Sequence, residues 1–338
     1  MDINGIARLA GVSRATVSRY LNDGYVSEAK RAVIRRVIEE TGYVPSQQAQ
    51  TLRTGRTHMV GVVIPRTDSD ATAQMFSGLS EVLTKHRYQV LLADTEGDRG
   101  VATEHLRLFR ERNQVDGIVV IGDDISEERL REVGGKPIPM VVLGQRVVGR
   151  TCIYNDDYAA MRELVAHVLE GRSHPAYIGL GGGASSVGGQ RRRAFLDASD
   201  KAGFDVPGHA LTAAASSDVE DGRACCEELL GACPEMDALV CATDALAAGA
   251  MACLREHGRS VPDDVRVSGV GDTSLSRVVE PPLTTIRYHY RECGAEAARL
   301  LVEAMGHKPA AKGKARADAP VTRQTMMDYE VVERRSTR

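Results

Sequence analysis

Residues 6–22 read IARLAGVSRATVSRYLN, and the fold of the first part of the chain turns on them. Ile3, Ile6, Ala7 and Ala10 share a helical stripe, and Gly11 interrupts it. Ser13 is placed to cap a second helix running to about Leu21. There Val17 and Leu21 lie on one face at an i, i+4 spacing and point inward. Arg14, Ala15, Ser18 and Arg19 are left on the outer face. A helix, a glycine-containing turn and a second helix make a helix-turn-helix. An α-helix fits the major groove of B-DNA, and arginine can bind guanine bidentately. Thr16, Ser18 and Asn22 suit phosphate oxygens, which set register rather than sequence. A charged, solvated face on a small helical bundle is the bland alternative, and spacing alone leaves it open.

Outward from this stretch the head continues. After NDGYV, Ser27 can cap a third helix whose apolar face is Val33, Ile34, Val37 and Ile38. Gly42 and Pro45 end it. Residues 1–58 hold nine Lys and Arg against five Asp and Glu, a balance of +4, while the remainder carries 34 against 41, a balance of −7. A basic head on an acidic body points to a polyanionic partner for the head alone. Residues 45–57, PSQQAQTLRTGRT, are polar apart from Ala49 and Leu52 and read as a linker.

From residue 58 the pattern changes to apolar strands alternating with amphipathic helices. MVGVVIP, YQVLLAD, VDGIVVIG, PMVVLG, AYIGLGG, ALVCAT and VRVSGVG are the strand candidates. The helix candidates are 72–86, 100–113, 157–170, 189–203, 219–231, 244–258 and 291–306. Such a series predicts parallel sheets covered on both faces. Its length favours two α/β lobes with a cleft between them. The first lobe is expected at about 58–153 plus 288–307, and the second at about 154–285 plus 321–335. KPAAKGKARADAP (308–320) reads as a flexible basic insertion, and MMDYEVVER (326–334) after it reads as a last strand.

Apolar runs such as GIVVIG are too short to span a bilayer. The opening MDINGIARLA has no secretory pattern, so a cytoplasmic protein is expected. Seven cysteines form no C-x-x-C pair and argue against a disulfide framework. No metal site is expected, on the reading that no histidine lies near Cys225–Cys253, and no cofactor is expected either.

Residues 6–57, from IARLAGVSRATVSRYLN through YVSEAKRAVIRRVIEETGYVPSQQAQTLRTGRT, resemble the DNA-binding head and hinge of the LacI/GalR family of bacterial transcription regulators. DALVCATDALAAGAMACLREHG, PPLTTIRYHYRECGAEAARLL and VVERRST resemble the same family's core, so the likeness runs along essentially the whole chain. PRTDS and CATD look most like the sucrose- and trehalose-operon type of repressor. The resemblance implies a helix-turn-helix head (1–44), a hinge (45–57) that folds on the operator, and a periplasmic-binding-protein-like core (58–338). It also implies a homodimer on a pseudo-palindromic operator in double-stranded DNA, and a sugar or sugar-phosphate effector. Leu52 matches the hinge leucine that wedges into the minor groove; an apolar side chain there can unstack a base step. The DNA-binding set is Arg14, Ala15, Thr16, Ser18, Arg19, Asn22, Tyr25, Ala49 and Leu52.

Ligands of open α/β sheets bind beyond the carboxyl ends of strands. Arg66, Asp68, Asn155, Asp156, Thr243, Asp244 and Asp272 end such strands, and Arg191 sits where the family places a ligand-binding arginine ahead of an aromatic. Asp244 could equally cap the helix after it, and Asn155, Asp156 and Asp157, which end another strand, could serve only as a turn and a helix cap. Arg192 and Arg193 read as solvated. Many family members carry an aspartate where this chain has Gly271, which puts a sugar contact there in doubt. No leucine heptad follows the last strand, so a tail-mediated tetramer is not expected. Two other readings compete. A solute-binding module has no use for a basic head. For an enzyme, the glycine-rich GLGGGASSVGG (179–189) lacks the Walker lysine and the dinucleotide-binding order, and no catalytic arrangement stands out.

Overall fold

The computed structural model describes the chain except residues 22–23, 44–50, 52–54, 112–113, 123–124, 126, 134–136, 182, 184–185 and 307–321. The described chain divides into two compact units, Met1–His58 and Met59–Arg338.

The first unit holds three helices: α1 (Ile3–Leu9), α2 (Arg14–Tyr20) and α3 (Glu28–Thr41). Polar caps define the starts of α1 and α2, whereas Ser27, expected to cap α3, makes no capping hydrogen bond with its side chain. The Asp2 carboxylate accepts from the Gly5 backbone N–H at 2.8 Å, and the Ser13 hydroxyl accepts from that of Thr16 at 3.2 Å. Gly11 makes the turn between α1 and α2 at φ +62°, where a side chain would be strained. Ile6, Ala7, Ala10, Val17, Val26, Ile34 and Val37 form the core of this unit. Seven side chains close a three-helix head because each helix brings one apolar face to a common centre.

The second unit is built on two six-stranded sheets. The first orders β11 (Gln324–Met327), β5 (Thr151–Asn155), β4 (Met140–Leu143), β3 (Gly117–Ile121), β1 (Met59–Ile64) and β2 (Gln89–Asp94), all parallel. The second orders β12 (Tyr329–Val332), β10 (Thr284–Tyr288), β9 (Arg266–Val270), β8 (Ala238–Cys241), β6 (Pro175–Leu180) and β7 (Leu211–Ala214), with β12 antiparallel to β10. The crossover helices of the first lobe are α4 (Asp70–Lys85), α5 (Arg99–Glu111) and α6 (Glu127–Glu132). Those of the second are α7 (Asp157–Val168), α8 (Val187–Lys201), α9 (Val219–Ala232), α10 (Asp244–Glu256) and the short α11 (Leu275–Val278). Helix α12 (Tyr290–Gly306) returns to the first lobe and packs on α4. A Cβ on Gly294 would lie 1.8 Å from the Met75 carbonyl oxygen, so the backbones of α12 and α4 touch.

Strand burial follows from this layering. Val60, Val62 and Ile64 face one apolar cluster and Val63 the other, so both faces of β1 are covered and its sequence is continuously apolar. The chain passes between lobes after Asn155, after Tyr288 and at Asp328. The last passage differs from the expectation for residues 321–335, which puts them wholly in the second lobe. Gln324–Met327 instead pairs with β5 in the first sheet. A short run of alternating residues gives no sign that the chain changes sheets within it. The closing VVERRST pins the second lobe from below: the Ser336 hydroxyl donates to the Val267 carbonyl at 2.6 Å and accepts from the Thr284 N–H at 2.8 Å.

Candidate functional site

In the head, α2 presents Arg14, Ala15 and Arg19 to solvent, while Val17 is fully buried. Thr16 and Ser18 are half-buried, and the Thr16 hydroxyl lies 2.9 Å from that of Ser13. Tyr25 is 90% exposed. A tyrosine left almost wholly in water next to a basic helix face has no core role and is available to a partner. Asn22, Ala49 and Leu52 lie outside the described residues.

In the core, the carboxyl ends of both sets of parallel strands open on one cleft of about 860 Å³. Arg66, Asp68, Asn155, Arg191, Thr243 and Asp244 all line it. The two arginines sit on opposite walls. Arg66, beyond β1, donates from Nε to Asp68 at 2.8 Å, and the same carboxylate is bound by its Nη2. Both side chains remain well exposed. That hydrogen-bonded charge pair raises the arginine further above its ordinary range and lowers the aspartate.

Arg191, on α8, is buried. Its Nε and Nη2 donate to Asp157 at 2.8 and 2.6 Å, and its Nη1 donates to the Ala242 carbonyl at 2.7 Å. The Tyr288 hydroxyl donates to the same Asp157 oxygen at 3.0 Å, and its ring lies 5.7 Å from the guanidinium carbon. Burial works against the charge on Arg191, but Asp157 outweighs it and the guanidinium titrates well above its ordinary range. Arg192 and Arg193 are exposed. Asp157 and Tyr290, which also line the cleft, and Tyr288 complete this wall; the sequence marks Asp157 only as a strand-end turn or cap residue and does not point to the two tyrosines.

Thr243 and Asp244 divide the two roles considered for Asp244. The Thr243 hydroxyl caps α10 by accepting from the Leu246 N–H at 3.2 Å. Asp244, buried, accepts from the Thr285 hydroxyl at 2.5 Å and the Thr273 N–H at 2.7 Å. Burial pushes its carboxyl above the usual range, against the pull of those hydrogen bonds.

Two of the expected effector residues point elsewhere. Asp156 caps α7, its carboxylate accepting from the Ala159 N–H at 2.9 Å. Asp272 is not among the residues lining the cleft. Its carboxylate is buried beneath Arg287 and Arg334, bonded to Arg287 Nε at 2.7 Å and Arg334 Nη2 at 2.5 Å. Gly271 lines the cleft instead, so the second lobe offers backbone at that strand end.

Among the described lining residues, Asp68, Asp70, Asp98, Asp157 and Asp244 outnumber Arg66 and Arg191. Each arginine already has its own carboxylate. The helices starting at the cleft bring capped N-termini, through Ser69, Ser186 and Thr243. The wall therefore offers many hydrogen-bonding groups of both kinds and no surplus of positive charge.

A helix-turn-helix head with an exposed arginine-bearing helix, carried by a chain whose core is a two-lobed binding fold, defines a DNA-binding regulator with a ligand-binding core. Residues 2–46 match the family described as bacterial regulatory proteins, lacI family, and residues 166–337 match the periplasmic binding protein-like domain. The sucrose operon repressor of Staphylococcus xylosus is 31% identical over 313 residues, covering 91% of this chain and 94% of that protein. This chain belongs to the LacI family of bacterial regulatory proteins, which are transcriptional regulators and not enzymes. Two solved structures share its fold. A transcriptional regulator CelR–cellobiose complex has a TM-score of 0.70 at 26% identity, over 99% of both chains. The lac repressor dimer bound to operator and the anti-inducer ONPF has a TM-score of 0.82 at 22% identity, over 98% of this chain and 97% of that one.

Proposed function

We propose that this protein is a dimeric, cytoplasmic repressor of carbohydrate-utilisation genes whose operator affinity is set by a neutral sugar of about disaccharide size. The observation that carries the effector class is the charge of the cleft: five aspartates stand against two arginines, each arginine already paired. A phosphoryl group would bring about two more negative charges into that wall. Sugar hydroxyls need donors and acceptors together, and paired carboxylates and guanidinium groups supply both. The names of its relatives agree: one is a sucrose operon repressor and another is described in complex with cellobiose.

Two heads in a dimer would read two half-sites, with Arg14 and Ala15 facing base edges and Leu52 wedging the minor groove between them. A ligand that favours one arrangement of the lobes shifts the operator equilibrium by its differential affinity for the two states. The test is a thermal-shift panel of free disaccharides and their phosphates, followed by operator titration with and without any stabilising compound. Stabilisation by a neutral disaccharide that changes operator affinity is expected. Stabilisation by the phosphorylated sugars alone would overturn the effector class. An Arg14→Ala variant should lose about 1–3 kcal/mol of discrimination at one operator position.

A further inference from the structure

Helices α9 and α10 approach closely on the second lobe. A Cβ on Gly249 would lie 1.9 Å from the Val219 carbonyl oxygen, and one on Gly222 would lie 2.3 Å from that of Leu246. The two backbones therefore touch, and side chains farther along the helices are brought together. There Glu227 of α9 meets Cys253 of α10 and His257, the residue that caps the end of α10. Cys253 Sγ is 3.5 Å from Glu227 Oε2 and 3.8 Å from His257 Nδ1. His257 Nε2 is 3.2 Å from Glu227 Oε1. The cysteine is buried; the histidine and glutamate side chains are 42% and 54% exposed and cover it from the solvent side. None of the three lines the cleft.

We propose that Glu227, Cys253 and His257 form a binding site for a thiophilic divalent cation of the zinc class, bridging α9 and α10. A sulfur, an imidazole nitrogen and a carboxylate oxygen are the donors such an ion takes. Zinc bonds of about 2.0–2.3 Å place tetrahedral ligand atoms about 3.3–3.6 Å apart. The Sγ–Oε2 and Nε2–Oε1 separations of 3.5 and 3.2 Å stand close to that range, and one ligand atom from each of the three residues lies within 4.8 Å of the others. His257 is also oriented for the task. Its Nδ1 lies 3.0 Å from the Cys253 carbonyl oxygen, so an Nδ1–H donates there, and Nε2 faces Glu227 Oε1 at 3.2 Å. A ring held by one nitrogen and presenting the other is the usual arrangement of a metal-bound histidine.

Binding breaks the Cys253 S–H bond, forms the metal–sulfur and metal–nitrogen bonds, and releases to solvent the thiol proton together with the proton held between His257 Nε2 and Glu227. A water completes the four-coordinate shell. The exposed Arg223–Glu256 pair links the same two helices beside the site. Cys226, the residue before Glu227, is a second buried thiol near Cys253. Its thiol could partly replace a lost Cys253 sulfur, so the decisive variants are at the two exposed ligands. Sequence reading passed over this site because it discounted histidine near the cysteines. Cys253 and His257 are an i, i+4 pair on one helix face, and Glu227 comes from the neighbouring helix.

The test is a Co²⁺ titration of the metal-stripped full chain, followed by visible and near-ultraviolet absorption, with Zn²⁺ competition. One equivalent per chain is expected, with intense tetrahedral bands and a thiolate-to-cobalt charge-transfer band. Glu227→Gln and His257→Gln should each weaken Zn²⁺ binding by about tenfold or more, with unchanged circular dichroism. No thiolate–cobalt band in the wild-type chain would overturn the proposal. So would equal affinity and stoichiometry in both variants.

Discussion

Each wall of the core cleft carries an arginine paired with an aspartate, and the two pairs are built to different ends. On the first lobe, Arg66 and Asp68 are two residues apart in one loop, with side chains 42% and 61% exposed. On the second, Arg191 and Asp157 come from different helices and are 8% and 4% exposed. Water already screens the first pair, so exchanging its partner for a sugar hydroxyl costs little. The second pair has left water. It is held by a carbonyl and a tyrosine hydroxyl as well as by its own charges, and it cannot reorganise without leaving a buried ion unpaired. The second wall is a fixed template, and the first is the one able to adapt.

Dismantling the fixed pair should therefore have the largest effect. Among the described residues Arg191→Met leaves buried Asp157 with Tyr288 as its remaining side-chain donor, and the core's unfolding free energy should fall by about 3–5 kcal/mol in urea denaturation. Replacing both residues, Asp157→Leu with Arg191→Met, should recover much of that loss, because no unpaired charge remains. A single variant as stable as the wild type would show that the pair is not what holds this wall.

The second lobe has another buried carboxylate, Asp272, and it sharpens the contrast by lying outside the cleft lining. Burial alone would raise Asp272, but hydrogen bonds from Arg334 and Arg287 and their charges hold it below the usual carboxylate range. Its folded pKa is thus lower than its unfolded one. The stability it contributes is fully present above the unfolded value of about 3.9 and is lost as pH falls through the folded value. Asp272→Asn should cost about 2 kcal/mol at neutral pH and leave sugar binding in place. Urea midpoints measured from pH 7 downward should show the gap between variant and wild type shrinking below about pH 4. A gap that persists into strong acid would mean that shape, not charge, makes Asp272 matter.

These two aspartates also show where sequence reading stops. The head was legible because its signals are local: Ser13, Gly11, Val17 and Leu21 lie within one short stretch and report directly on caps, turn and inward face. The continuously apolar strands, such as Met59–Ile64, were legible for the same reason. Arg191 could be picked out as a site residue, but its partners Asp157 and Tyr288 are separated from it by crossovers, and one sequence does not show which distant groups meet. Asp272 failed in the opposite way. A carboxylate at a strand end looks like a ligand group until Arg334, 62 residues later, is seen to claim it. The strands Leu211–Ala214 and Thr284–Tyr288 escaped because polar residues interrupt their apolar run, whereas Met140–Leu143, no longer than either, is continuously apolar.

The smallest effect on stability is expected at Arg66, and the largest on function for so mild a change. Its partner is exposed and its loss leaves no buried charge, so Arg66→Ala should shift the melting midpoint by about 1 °C or less. Yet Arg66 also lies in the field of Asp218, at the start of α9 in the opposite lobe. It is the cation that acidic groups of both walls can feel, and a bound ligand would have to share it with them. Its removal should weaken binding of a stabilising disaccharide by about tenfold, as expected for losing one hydrogen bond from a charged donor. Isothermal titration with the matched Asp68→Asn variant separates the two partners. If Asp68→Asn weakens binding as much as Arg66→Ala, the pair acts as a unit. If Asp68→Asn tightens it, the aspartate competes with the ligand for the guanidinium. Undiminished affinity in Arg66→Ala would erase the distinction drawn between the walls and leave the ligand resting on the second lobe alone.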